Sequence, residues 1–167
     1  YKRQELHVNQ LRVCRQHQIQ RDTFKLMWCS TFAQRLESWQ QLRHAVQSKS
    51  ASSAAEAVNQ WWFQAPWSAY HLHWDDQADW PDPWQLLSDN MYCPVARGLG
   101  ILYTIAMIDH PELQNAVLID NGTDNLVLID NEKYILNWDQ SRVLNIDPGP
   151  YQVQHSLTQQ QVQQQTR

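Results

Sequence analysis

The apolar positions of this chain keep a helical period over most of its length and a strand-like one after it. Phe24, Trp28, Phe32, Leu36, Trp39, Leu42 and Val46 recur at spacings of three and four. That pattern predicts one face of a helix of about six turns starting near Asp22. The run S-K-S-A-S-S at residues 48–53 reads as a linker. Ser53 followed by Glu56 has capping-box spacing, which opens a short helix ending near Trp61-Trp62-Phe63. Residues 65–84 read as a long irregular loop whose aromatics imply a structured, buried crossing. Asp82 and Pro83 look like the cap and first position of a further short helix through Leu87.

A broad apolar stripe of Ala96, Leu99, Leu102, Tyr103, Ala106 and Met107 then follows Cys93-Pro94 and stops before His110-Pro111. From there the apolar runs shorten to residues 116–120, 126–129 and 134–138, separated by N-G-T-D-N and D-N-E-K, the signature of an antiparallel meander. Residues 1–20 alternate weakly at Leu11, Val13 and Ile19, but their Gln/Arg-rich composition favours helix. The closing run Q-H-S-L-T-Q-Q-Q-V-Q-Q-Q-T-R has little apolar surface to bury, so it is disordered alone and ordered only against a partner. The expectation is an α+β chain: an N-terminal helical region (1–50), a core (51–147) in which a Cys-headed helix packs on a small antiparallel sheet, and a Gln-rich tail (148–167).

Composition narrows the function. A chain of 167 residues suits one hydrophobic core. Nine Trp, only four Gly and 18% charged residues describe a surface on which Gln replaces charge. With a net charge of -4 and no Lys/Arg cluster, nucleic acid is not an expected partner. No run approaches the length of a membrane span, so no membrane partner is expected either. Cys14, Cys29 and Cys93 are odd in number, far apart and in no C-x-x-C pair, which fits reduced thiols in a cytosolic setting.

Cys93 is the residue with the most chemical promise. Pro94 marks it as the cap of the helix that follows, and the dipole and unpaired N–H groups of a helix N-terminus favour a thiolate. The alternative is a small, buried, inert side chain. The cluster His71, His73, Asp75, Asp76, Asp79 and Asp82 contains an H-x-H pair usable by zinc, but Asp-rich loops more often supply turns and caps. No metal and no cofactor is expected. Trp74, Trp80 and Trp84 allow a small-molecule or glycan groove, against the commoner use of such rings to staple a loop to the core.

Helices first, a cysteine heading a helix, and then an antiparallel sheet: over about residues 58–140 this order resembles the transglutaminase-like cysteine proteases. W-P-D-P-W-Q-L-L is similar to the family's segment upstream of the cysteine, and C-P-V-A-R-G-L-G-I to its cysteine helix, with Leu99-Gly100-Ile101 falling early. The resemblance implies a transglutaminase-like (papain-like) core with Cys93 at the nucleophile position. It puts Asn125, opening N-L-V-L, where the family has its His, and Asn137 or Asp139, in K-Y-I-L-N-W-D, at the third position. Asn cannot take a proton near neutral pH, so the constellation is degenerate. His110 lies at the far end of the Cys93 helix, on the order of 24 Å away, and His155 belongs to the tail.

The expected function is therefore a non-catalytic structural or interaction protein. W-P-D-P-W and Y-C-P-V-A-R-G-L-G-I also resemble proteins of tailed bacteriophages. That implies a virion component assembled in the host cytoplasm, contacting other subunits through the N-terminal helix and the Gln-rich tail. The alternative is an active cysteine peptidase or amidase with Cys93 as nucleophile, His71 or His73 as base, and Asn125 or Asn137 as an orienting or oxyanion group.

Overall fold

A computed structural model describes residues 27–69, 72–130, 133–139, 143 and 152–164. Expectations for residues 1–20, for the helix start near Asp22 and for His71 lie outside the described residues.

The first amphipathic stretch does not make one helix. Met27 and Trp28 are helical, the chain turns at Cys29-Ser30, and α1 runs Phe32–Gln47. The break has a local cause: the Thr31 side chain accepts from the Gln34 N–H while the Gln34 side chain accepts from the Thr31 N–H, a complete capping box. The next helix, α2, is Ala51–Phe63, and its cap is Ser50 rather than Ser53. The Ser50 hydroxyl accepts from the Ser53 N–H, so the segment read as linker supplies the first turn. Helix α3, Pro83–Asp89, is capped by Asp82 through the Gln85 N–H at 2.8 Å. Buried Arg35 reaches across from α1 to bond the Leu87 carbonyl (3.0 Å) and the Ser88 carbonyl (3.3 Å), two of the acceptors that α3 leaves unpaired near its end.

The central helix, α4, is Pro94–Met107 with Cys93 as its N-cap. Strands β1 (Val117–Asp120), β2 (Asn125–Ile129) and β3 (Tyr134–Leu136) form the expected meander. Trp138 leaves the sheet because Asn137 adopts a left-handed conformation, φ 67°, and the Trp138 ring is 55% exposed. The tail departs from expectation. Strand β4, His155–Thr158, pairs antiparallel with β1, and α5, Gln159–Gln163, packs against α4. Its ordering partner is its own chain. The sheet order is β3-β2-β1-β4, all antiparallel.

Helices α1, α2 and α4 meet in an aromatic core. Trp28, Trp61, Trp62 and Tyr92 pack edge-to-face or tilted at centroid distances of 4.6–5.8 Å. The Trp39 and Trp62 indole N–H groups both donate to Thr104 Oγ1, at 2.9 and 2.8 Å, and Thr104 donates to the Gly100 carbonyl. A Cβ on Gly100 would fall 2.5 Å from Trp62 ring carbons, so only glycine lets that indole lie on α4. Burial pushes the Tyr92 phenol well above its ordinary pKa, with Asp89 adding to the rise and Arg35 opposing it; its OH donates to the Leu86 carbonyl. Leu118, Val127, Leu136 and Leu157 face this core, while Ile119, Leu126, Leu128 and Ile135 form a separate buried cluster.

Candidate functional site

Alternation along the strands fixes which polar residues accompany the core-facing set. Asp120 lies two residues beyond Leu118, Asn125 two before Val127, and His155 two before Leu157, so all three share the face turned to α4. Asp120 pairs directly with Asn125 on one side and with His155 on the other. They form one polar row across three strands, at the end of the sheet where α4 begins.

The start of α4 is joined to that row by Asn137. Its side-chain amide donates to the Pro94 carbonyl (2.9 Å) and the Asn125 carbonyl (2.6 Å), and its Oδ1 accepts from Arg97 Nε at 2.7 Å. Its backbone N–H donates to Oδ1 of Asn59, whose amide nitrogen donates to the Asp139 carbonyl. Asn59 and Asn137 are buried, and Gly98 makes room: a Cβ there would meet Leu118 at 2.6 Å and Asn137 Nδ2 at 3.0 Å. Arg97 lies over the Phe63 ring, 3.9 Å from its centroid. Burial lowers the Arg97 pKa from its ordinary value, and Cys93 acts in the opposite direction. Four elements are thus braced around Asn137, whose amide hydrogens are both spent on fixed acceptors.

Cys93, Asn125 and Asn137, the residues that the sequence resemblance singles out, lie around the first turn of α4; Asp139 contributes through its backbone carbonyl and is itself exposed. Cys93 is a free thiol, 4% exposed, and its sulfur accepts from the Ala96 N–H at 3.4 Å. Among the described residues no imidazole hydrogen-bonds to that sulfur. His73 is exposed at the start of a 3-10 turn, Trp74–Asp79, where its carbonyl accepts from the Trp80 indole. His110 is buried below α4, its Nε2 2.8 Å from the Lys49 carbonyl and its Nδ1 accepting from the Glu112 N–H.

The other candidates disperse. No group of three or more His, Cys, Asp or Glu side chains able to hold a metal occurs among the described residues. Asp82 caps α3, while Asp75 and Asp76 sit in the first turn of the 3-10 segment. The three loop tryptophans do not share a pocket. Trp84 packs edge-on against Trp39, whereas Trp74 packs against Trp80 and stacks on His155 at 5.4 Å, interplanar angle 11°. The loop is partly open too, with Trp67 69% exposed.

His155 and Asp120 are the residues that sequence reasoning passed over. His155 Nδ1 lies 3.2 Å from Asp120 Oδ2, and Trp74, stacked on His155, donates its indole N–H to Asn125 Oδ1 at 2.8 Å. The signal was present as His155 and Leu157 in alternation, followed by Thr158 and Gln161 at capping-box spacing. No helix of the described residues is long and apolar enough to cross a membrane. Comparison of the chain with family models, with curated proteins and with solved structures finds no match.

Proposed function

We propose that this chain is a non-catalytic structural and interaction protein whose transglutaminase-like site has become a brace. The observation that carries the reading is Asn137. At the family's third position it spends both amide hydrogens on the Pro94 and Asn125 carbonyls and its oxygen on Arg97. A group saturated in this way holds the first turn of α4 to two strands and has no donor left to orient a base or bind an oxyanion. Gathering of Cys93, Asn125 and Asn137 at one helix start supports the likeness to a transglutaminase-like core, and the enclosed sulfur of Cys93 supports a structural role for it. The sequence resemblance supplies the setting, a phage particle in which the domain is one contact-making subunit.

The test is alkylation of Cys93 by iodoacetamide across pH, read by peptide mass, with Cys93→Ser as control. A structural cysteine labels slowly in the native protein and rapidly after unfolding. Fast native labelling with an inflection well below the ordinary thiol pKa of about 8.5 would overturn the reading and turn the search to a substrate.

A further inference from the structure

The C-terminal arm, β4 with α5, is held by a docking surface made to fit it. The outer edge of β1 takes β4 in strand addition, with Leu118 opposite Leu157 and Val117 opposite Thr158. At the corner between strand and helix, Gln159 clasps Ala116 twice: its N–H donates to the Ala116 carbonyl at 2.7 Å and its side-chain oxygen accepts from the Ala116 N–H at 2.9 Å. Gln163 then donates to the Ala106 carbonyl near the end of α4. At the other end, His155 is paired with Asp120 and stacked on Trp74. Recognition is by main-chain and amide groups, with Leu157 and Val162 as the buried apolar anchors.

We propose that this surface is the chain's assembly site, and that the arm of a second copy takes the place of its own. The inference deepens the non-catalytic reading by naming the partner, and it rests on that reading for its purpose. The arm commits only two apolar anchors to the core, whereas β1 keeps its full pairing with β2 when the arm is withdrawn. Withdrawal is therefore a local opening rather than global unfolding. Fourteen residues, 140–153, separate Asp139 of the brace from Gln154, whose N–H bonds to the Asp120 carbonyl of β1, and a chain of that length, at roughly 3.3 Å per extended residue, can reach a neighbouring molecule once Val143 leaves the core. An arm from another copy presents the same Leu157, Gln159, Val162 and Gln163, so the docked contacts are identical in either case. What differs is effective concentration. A tethered arm acts at about millimolar concentration, so own-chain docking prevails in dilute solution and exchange sets in when copies are crowded together.

The pair Val117–Thr158 provides the test. The adjacent bond from Gln159 N–H to the Ala116 carbonyl marks it as a non-hydrogen-bonded pair, with Cα atoms about 4.5 Å apart and within disulfide reach. Full-length Val117→Cys and Thr158→Cys variants, both with Cys14→Ser and Cys29→Ser, are mixed at increasing concentration, oxidised and read by intact mass. Docking between copies gives a mixed disulfide dimer well above the statistical share relative to either homodimer, engaging about half of the arms near millimolar protein. Mixed dimers at only the statistical share, with the Val117→Cys/Thr158→Cys double variant closing within one chain at every concentration, would overturn the proposal. That result would leave the Cys93 labelling experiment, and the non-catalytic reading it tests, untouched.

Discussion

Removing the Asn137 side chain separates bracing from chemistry. Asn137→Gly keeps a residue suited to φ 67° and deletes three hydrogen bonds, to Pro94, Asn125 and Arg97. At about 1 kcal/mol net for each bond, the loss is about 3 kcal/mol. Asn137→Ala loses the same bonds and also places an ordinary L-residue in the left-handed region, a penalty of about 1–2 kcal/mol. Part of that difference is offset by the entropy that glycine loses on folding, so alanine is worse than glycine by about 0.5–1 kcal/mol. Urea unfolding followed by tryptophan fluorescence reads both, because the nine tryptophans include several in the core. With an m-value of about 2 kcal/mol/M, the glycine variant moves its midpoint down by about 1.5 M. If Asn137→Gly instead unfolds within about 0.5 kcal/mol of the parent, the amide is no brace, and the reasoning that assigns it a structural role fails.

Two further substitutions probe the core and its helices. Thr104→Val keeps the shape of the side chain but strips the acceptor shared by Trp39 and Trp62; two orphaned indole N–H groups lower stability by about 2–6 kcal/mol. Thr104→Ser restores the hydroxyl and should cost only about 1 kcal/mol for the lost methyl, and equal losses in the two variants would refute the shared-acceptor account. Asp82→Ala removes the α3 cap and is expected to cost about 1 kcal/mol by the same urea titration, whereas an unchanged midpoint would mean that Pro83 alone fixes the start of the helix.

Helix α4, the three-strand meander and the Asp82 cap were legible because each rests on local signals: a proline at the first helical position, turn residues between apolar runs, and a clean stripe. The break at Thr31 and the cap at Ser50 were missed for the opposite reason. A continuous apolar stripe hid the T-x-x-Q box, and a serine-rich run hid which hydroxyl would reach the Ser53 N–H. The site was half legible. Chain order brought Cys93, Asn125 and Asn137 to one helix start, yet nothing local told that Asn59 and Arg97 would saturate Asn137 from other elements. The arm was misjudged on composition. A Gln-rich run buries little by itself, but a strand needs only a waiting edge and alternate anchors, and Leu157 is one of them.

Strand β1 owes its interior place in the sheet to a segment that follows it only after β2, β3 and the connection beyond them. During synthesis the V-L-I-D run of β1 therefore emerges with one side unpaired and stays so until β4 arrives. A bare strand of that composition is a template for pairing with other chains. The arm thus covers an edge that would otherwise pair with other chains, and a chain interrupted before His155 is expected to lose solubility even with every residue of the α4 brace in place.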